Sequence, residues 1–321
     1  MTVQRDAERA IIGAILLEPE RFAEVREWLE PGDFDGTAER VVYETMVARS
    51  NDAKAVSPEA LNESLRARTT NRHVAADAPF LVTCMQQCPS ADRAAVYGRM
   101  VLEMSIRRQI SDSAIGLRQR ATGPSDLTRV FARVDTVRRG IESLHDREAT
   151  ASGAFAPTPI HAEGLPAPAR RRSPAARSTE RLAILSLIEH PAALDAVKEW
   201  LTMEDFRDDE CARHFGELLS MHETRIPIDR VTLSWALAQR GSSSELATHG
   251  EKVSACTDPV PAARRVLQQS VRSTVVDTAI AVEEGMNQSE GFPATAVAYQ
   301  RLNALWPEQR RLVTADRTAG K

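Results

Sequence analysis

The chain has 321 residues, a formal net charge of −4 and only 5% aromatic residues. That length accommodates two compact domains, each with its own core. Near-balanced charge excludes a global basic field for nucleic acid, and abundant Ala, Leu, Val and Arg suit packed helices better than a β-sandwich.

From the N-terminus the pattern is helical throughout. Ile11, Ile12, Ile15 and Leu16 mark one face of a first helix over Ala7 to Leu17. Pro19 opens a second helix with Phe22, Val25 and Leu29 as its inner stripe, and Pro31-Gly32 ends it. A third carries Val41, Val42, Met46 and Val47. Ser57-Pro58 reads as an N-cap with proline at the first helical position, opening a fourth helix with Leu61 and Leu65. Pro79 to Gln87 is a short fifth helix, and Asp92 to about Arg120 a long sixth.

Beyond the turn at Thr122-Gly-Pro-Ser-Asp lies the most regular stretch. Leu127, Val130, Val134, Val137, Ile141 and Leu144 are spaced 3, 4, 3, 4, 3, a heptad seam. Its nearest partner is the preceding helix, through Ile106, Ile110, Ala114 and Leu117. The seam reads as the interior of a closed helical hairpin, and equally as a candidate interaction surface for another subunit. Residues 91 to 147 hold eleven arginines against seven Asp/Glu, so the hairpin is mildly basic.

Residues 149–177 form a linker rich in Pro, Ala and Arg, with the run Arg170-Arg171-Arg172. Those three arginines are the candidate nucleic-acid contact. After the linker the chain repeats itself. Glu8-Arg9, Pro19, Trp28-Leu29 and Asp33-Phe34 return as Glu180-Arg181, Pro191, Trp200-Leu201 and Asp205-Phe206, at a constant offset (180 − 8 = 172, 206 − 34 = 172). The register holds through Tyr43/Phe215, Leu61/Leu233, Cys84/Cys256 and Pro89/Pro261. Asp229 replaces Ser57 as N-cap. The predicted final hairpin is shorter: Pro261 to Gly285, then Pro293 to Trp306 with Val297, Leu302 and Leu305. The expected organisation is a domain over 1–148, the linker, a divergent copy over 178–309 and a polar tail over 310–321. The fold class is all-α, two tandem helical bundles each ending in a hairpin.

Sites for chemistry are hard to find. A nucleotide-binding P-loop needs Gly-Lys-Ser/Thr, and the only Gly-Lys pair is Gly320-Lys321. No G-x-G-x-x-G, H-E-x-x-H or G-x-S-x-G occurs. The seven histidines lack metal-ligand spacing, and Cys211 with His214 has no second pair to complete a zinc site. Cys84 and Cys256 sit at equivalent repeat positions, which favours packed, reduced thiols. Catalytic residues, cofactor and metal are therefore all read as none. No apolar run approaches the ~18 residues of a membrane span, and no signal peptide opens the chain. A cytoplasmic location and no membrane partner are expected.

The segment Ala7-Glu8-Arg9-Ala10-Ile11-Ile12-Gly13-Ala14-Ile15-Leu16-Leu17 resembles the opening helix of the N-terminal domain of bacterial replicative DNA helicases, the DnaB family. Trp28-Leu29-Glu30-Pro31-Gly32-Asp33-Phe34, Val56-Ser57-Pro58-Glu59-Ala60-Leu61, Pro79-Phe80-Leu81 and Cys88-Pro89-Ser90-Ala91 are similar to its next segments, in family order and spacing. The second copy is similar but more divergent, with Leu185-Ser186 in place of Gly13-Ala14. The resemblance implies an all-helical bundle with a protruding hairpin. In the helicases it builds a collar and contacts primase, while a separate RecA-like domain hydrolyses ATP.

The expectation is thus a docking half without an engine: a non-enzymatic replication accessory that binds a replicative helicase, a primase or its own kind. The alternative is a DNA-binding regulator using Arg170 to Arg172 and the hairpin, whose binding would weaken steeply with salt.

Overall fold

The computed structural model describes residues 3–68, 76–124, 126–152, 174–241, 258–288 and 294–319. Among them every regular element is helical. The first copy runs α1 (Val3–Leu17), α2 (Phe22–Val25), α3 (Thr37–Asn51), α4 (Pro58–Arg68), α5 (Ala78–Gln87), α6 (Ala94–Thr122) and α7 (Leu127–Ser152). The second runs α8 (Pro174–Glu189), α9 (Leu194–Val197), α10 (Asp209–Glu223), α11 (Arg230–Gln239), α12 (Pro259–Gln288), α13 (Ala294–Asn303) and α14 (Trp306–Ala319).

Both N-caps form as the sequence predicts. The amide of Ala60 donates to Ser57 Oγ at 3.3 Å, and those of Val231 and Thr232 donate to Asp229 Oδ1 at 2.8 and 2.9 Å. The expected second helix is instead a 3-10 turn, Pro19–Arg21, leading into the single turn α2. Helix α3 ends on Ala53 in the left-handed region (φ 55°), and α10 on Arg225 (φ 57°), positions again 172 apart (225 − 53 = 172). Each lets the next amide reach back to the helix. Lys54 N donates to Arg49 O, and Ile226 N to Met221 O, both at 2.9 Å. This satisfies carbonyls that the helix end would otherwise leave open.

In the first copy α1 is the central helix, with Ile11, Ile12 and Ile15 fully buried. It packs along α5, and Gly13 makes that approach possible. A Cβ there would stand 2.2 Å from Cys84 O, so the two backbones meet where only glycine fits. The second copy has Leu185 at that position. Phe34 and Tyr43 stack at 4.7 Å between centroids, and their equivalents Phe206 and Phe215 at 5.0 Å. Trp28, Phe34, Tyr43 and Leu61 are all buried, as the shared pattern implies.

The polar tail expected after residue 309 is a correction. Those residues belong to α14, which holds Leu312 and Ala315 in the interior. Pro307 does not end a helix there. It sits in the first turn of one, where its missing N–H has no intrahelical partner to lose.

The described helices group into two compact units, and neither is one uninterrupted stretch. The first contains residues 1–113, 137–162 and 285–299; the second contains 114–136, 163–284 and 300–321. In the first unit, Arg107 Nη1 donates to Met286 O at 3.0 Å. There Thr295 Oγ1 also donates to Glu148 Oε2 at 2.7 Å, with His145 Nδ1 3.2 Å away. In the second, Arg272 Nη1 donates to Ala121 O at 2.8 Å and Gly123 O at 3.0 Å, and Arg118 pairs with Glu283 at 3.1 Å. Each unit therefore takes one segment from the other half of the sequence. Fragments 1–152 and 174–321, made separately and mixed, are expected to assemble into a 1:1 complex on gel filtration. Two well-folded fragments that elute apart would contradict this exchange.

Candidate functional site

The repeated Glu-Arg pair has a structural task. Glu8 is fully buried, and its two carboxylate oxygens accept the amides of Asp35 at 2.8 Å and Gly36 at 3.0 Å. Glu180 does the same for Arg207 and Asp208, both at 3.0 Å. In each copy the carboxylate closes the loop that enters the next long helix, α3 or α10. Burial raises the Glu180 carboxyl above its ordinary range, and the two amide donors oppose that shift.

A second carboxylate closes the preceding turn. Asp33 Oδ2 accepts the amide of Glu30 at 2.7 Å and the guanidinium of Arg147, while its Oδ1 accepts Ser105 Oγ at 2.8 Å. Arg147 also donates from Nε and Nη2 to Trp28 O, at 3.1 and 2.9 Å. In the second copy Asp205 Oδ2 accepts the amide of Thr202 at 2.8 Å and the guanidinium of Arg311, which donates to Trp200 O at 3.0 Å. Trp28/Trp200 and Asp33/Asp205 keep the offset of 172, but the arginines do not (311 − 147 = 164). The second hairpin is eight residues shorter (172 − 164 = 8) and still delivers the same cation to the same carboxylate.

These acids are held in place by donors from the backbone and from arginine. Cys84 and Cys211 are buried, which pushes both thiols up to about 12 and away from reactivity. Among the described residues no group of His, Cys, Asp and Glu is arranged to hold a metal ion. Among them also, no helix is long and apolar enough to cross a membrane.

Leu127, Val130, Val134, Val137, Ile141 and Leu144 are all buried, together with Ile106, Ile110, Ala114 and Leu117 of α6. The first three of the seam belong to the second unit and the last three to the first. Arg170, Arg171 and Arg172 lie outside the described residues, as does Cys256. Two features escape the sequence reading. Val231 and Trp235 project from α11, 78% and 64% exposed. A groove of about 410 Å3 opens between α7, α12 and α14, floored by Leu127, Phe131 and Leu312. The first was accessible by subtraction, since the same positions of the first copy are Glu59 and Glu63. The second has no signal in the sequence.

The family model described as "DnaB-like helicase N terminal domain" matches residues 1–103 and, a second time, residues 172–268. The chain belongs to the DnaB-like helicase N-terminal domain family. Among solved structures it is similar to the crystal structure of the N-terminal domain of DnaB helicase from Mycobacterium tuberculosis. The two are 26% identical over 41% of this chain and 96% of that one, with a TM-score of 0.38. Both matched stretches correspond to the non-catalytic part of the helicase, and membership ties the chain to a DnaB-related role in replication.

The clamps join residues of the matched stretches, Asp33 and Asp205, to arginines that lie outside them, Arg147 and Arg311. Asp33 is 1% exposed and Asp205 2%, so removing either leaves a buried amide and a guanidinium short of an acceptor, at about 1–3 kcal/mol. Asp33→Ala and Asp205→Ala are each expected to lose that much in urea unfolding. A loss below about 1 kcal/mol, the usual worth of an exposed pair, would show that the clamp is not structural.

Proposed function

We propose that this chain is a non-enzymatic accessory of DNA replication that mediates protein–protein contacts, with a replicative helicase, a primase or its own kind as partner. The observation that carries the reading is the doubled match to the helicase's N-terminal domain, over 1–103 and 172–268. A module used twice, with its ionisable core groups locked in structural pairs, supplies surface and no reaction centre. The sequence also offers no lysine in a phosphate-binding loop, and autonomous ATPase or helicase activity is not expected of it.

The mode of action follows from that. A free DnaB-type domain competes for, or bridges, the surfaces that the helicase's own N-terminal domain engages. Specificity would then rest on where the two copies differ, at solvent-facing positions, while their common core preserves the frame. The heptad hairpin supports such contacts through its outward side, since the seam itself faces inward.

The test is capture by the purified full chain of the host's replicative helicase and primase, each supplied separately, with ATP hydrolysis measured alongside. Binding of at least one, without hydrolysis by the chain alone, is expected. Failure to capture either protein and to self-associate, or ATP turnover by the chain unaided, would overturn the proposal.

A further inference from the structure

The first unit holds a small cavity on the helix that carries Arg147. About 170 Å3 opens between α7 and α13, lined by Ile141, Glu142, His145, Asp146, Thr295 and Tyr299, all of that unit. The groove of the second unit occupies the matching place. Thr295, Tyr299 and Gln309 follow Phe131, Asp135 and His145 by the offset that relates Arg311 to Arg147 (295 − 131 = 164, 299 − 135 = 164, 309 − 145 = 164). A hollow that recurs where a segment from the other half of the sequence meets the clamp helix belongs to the fold. Its lining belongs to each unit alone.

The floor of the cavity makes no demand on a ligand. Ile141 and Thr295 are buried, and the Thr295 hydroxyl is taken, donating to Glu148 Oε2 at 2.7 Å with His145 Nδ1 3.2 Å away. The rim is charged. Glu142 and Asp146 stand one turn apart on α7, both exposed. Among the described residues neither carboxylate has a hydrogen-bond or ion-pair partner, and no lysine or arginine lines the cavity. The neighbouring guanidiniums are engaged, Arg147 by Asp33 and Trp28 O, Arg138 and Arg139 by contacts of their own. Half-buried Tyr299 adds an aromatic side chain to the wall, a surface that attracts cations. In the second unit the positions of Glu142 and Asp146 hold Trp306 and Arg310 (142 + 164 = 306, 146 + 164 = 310), so this carboxylate pair is confined to the first.

We propose that the cavity binds a guanidinium or primary ammonium group on a short aliphatic stem. The charged head lies between Glu142 and Asp146, whose mutual repulsion it relieves, and the stem lies against Ile141 and Tyr299. At about 170 Å3 the space falls below the ~300–1,000 Å3 of drug-sized sites and suits one side-chain-sized group. The site is independent of the function proposed above, since it needs neither helicase nor primase.

The experiment is isothermal titration of the purified full chain with two probes, agmatine and a short peptide with one internal arginine. Saturable 1:1 binding of at least one is expected. Binding of agmatine alone would mark a site for a free small cation, binding of the peptide alone a site for a partner's side chain. N-butylurea, which is uncharged, should not bind. Glu142→Gln and Asp146→Asn should each weaken binding by roughly tenfold or more, and Asp146→Arg, the residue type found at Arg310, should abolish it. All these positions are exposed, so circular dichroism should be unchanged. Glu59→Gln with Glu63→Gln is the control, because those carboxylates are also exposed and one turn apart but do not line the cavity. That double variant should bind as wild type does. No binding of either probe, equal binding of N-butylurea, cavity variants that titrate like wild type, or an equal loss in the control would each overturn the proposal.

Discussion

The fold depends on charge held away from water and fully answered there. Each copy buries a glutamate and an aspartate near α1 or α8, where an unpaired carboxylate would cost several kcal/mol. Glu8 and Glu180 are satisfied by two backbone amides apiece, Asp33 and Asp205 by an amide and a guanidinium. These bonds fix two consecutive irregular stretches, the turn after Trp28 or Trp200 and the loop after Phe34 or Phe206. Apolar burial fills the space between helices but does not choose the path of a loop. The carboxylates do.

From that constraint comes the tolerance of everything else. Arg147 comes from α7, Arg311 from α14 after a hairpin eight residues shorter, yet both reach a tryptophan carbonyl and an aspartate. Gly13 lets α1 touch α5 in the first copy, and the second copy has Leu185 in its place. The exposed faces have gone further apart, from Glu59 and Glu63 to Val231 and Trp235. Segments 114–136 and 285–299 each serve the unit of the other half. Two modules of one family thus share a frame and present unlike surfaces.

Much of this was legible because it follows local rules. Ser57 and Asp229 precede their helices as capping residues do, and the spacing of Leu127 to Leu144 marks a seam, whose burial within the chain only the structure decides. The constant offset carried the doubled domain from Glu8 through Pro89. Legibility ended where a partner is distant or a register changes. Nothing near Glu8 announces amide donors 27 and 28 residues on. Arg311 escaped because the offset falls from 172 to 164 across the hairpin. Pro307 reads as a stop, although in the first turn of α14 it is a start. Val231 and Trp235 look like any exposed apolar pair until they are set against their acidic equivalents.

The central claim is that the buried carboxylates, not the helices alone, hold the two modules in shape. Native-state hydrogen exchange at the amides of Gly36 and Asp208 tests it most directly, since both lie outside regular helix and donate only to Glu8 and Glu180. Protection equal to that of the α1 interior, lost only with global unfolding of the copy, is the predicted result. Exchange at the rate of an exposed loop would contradict the account.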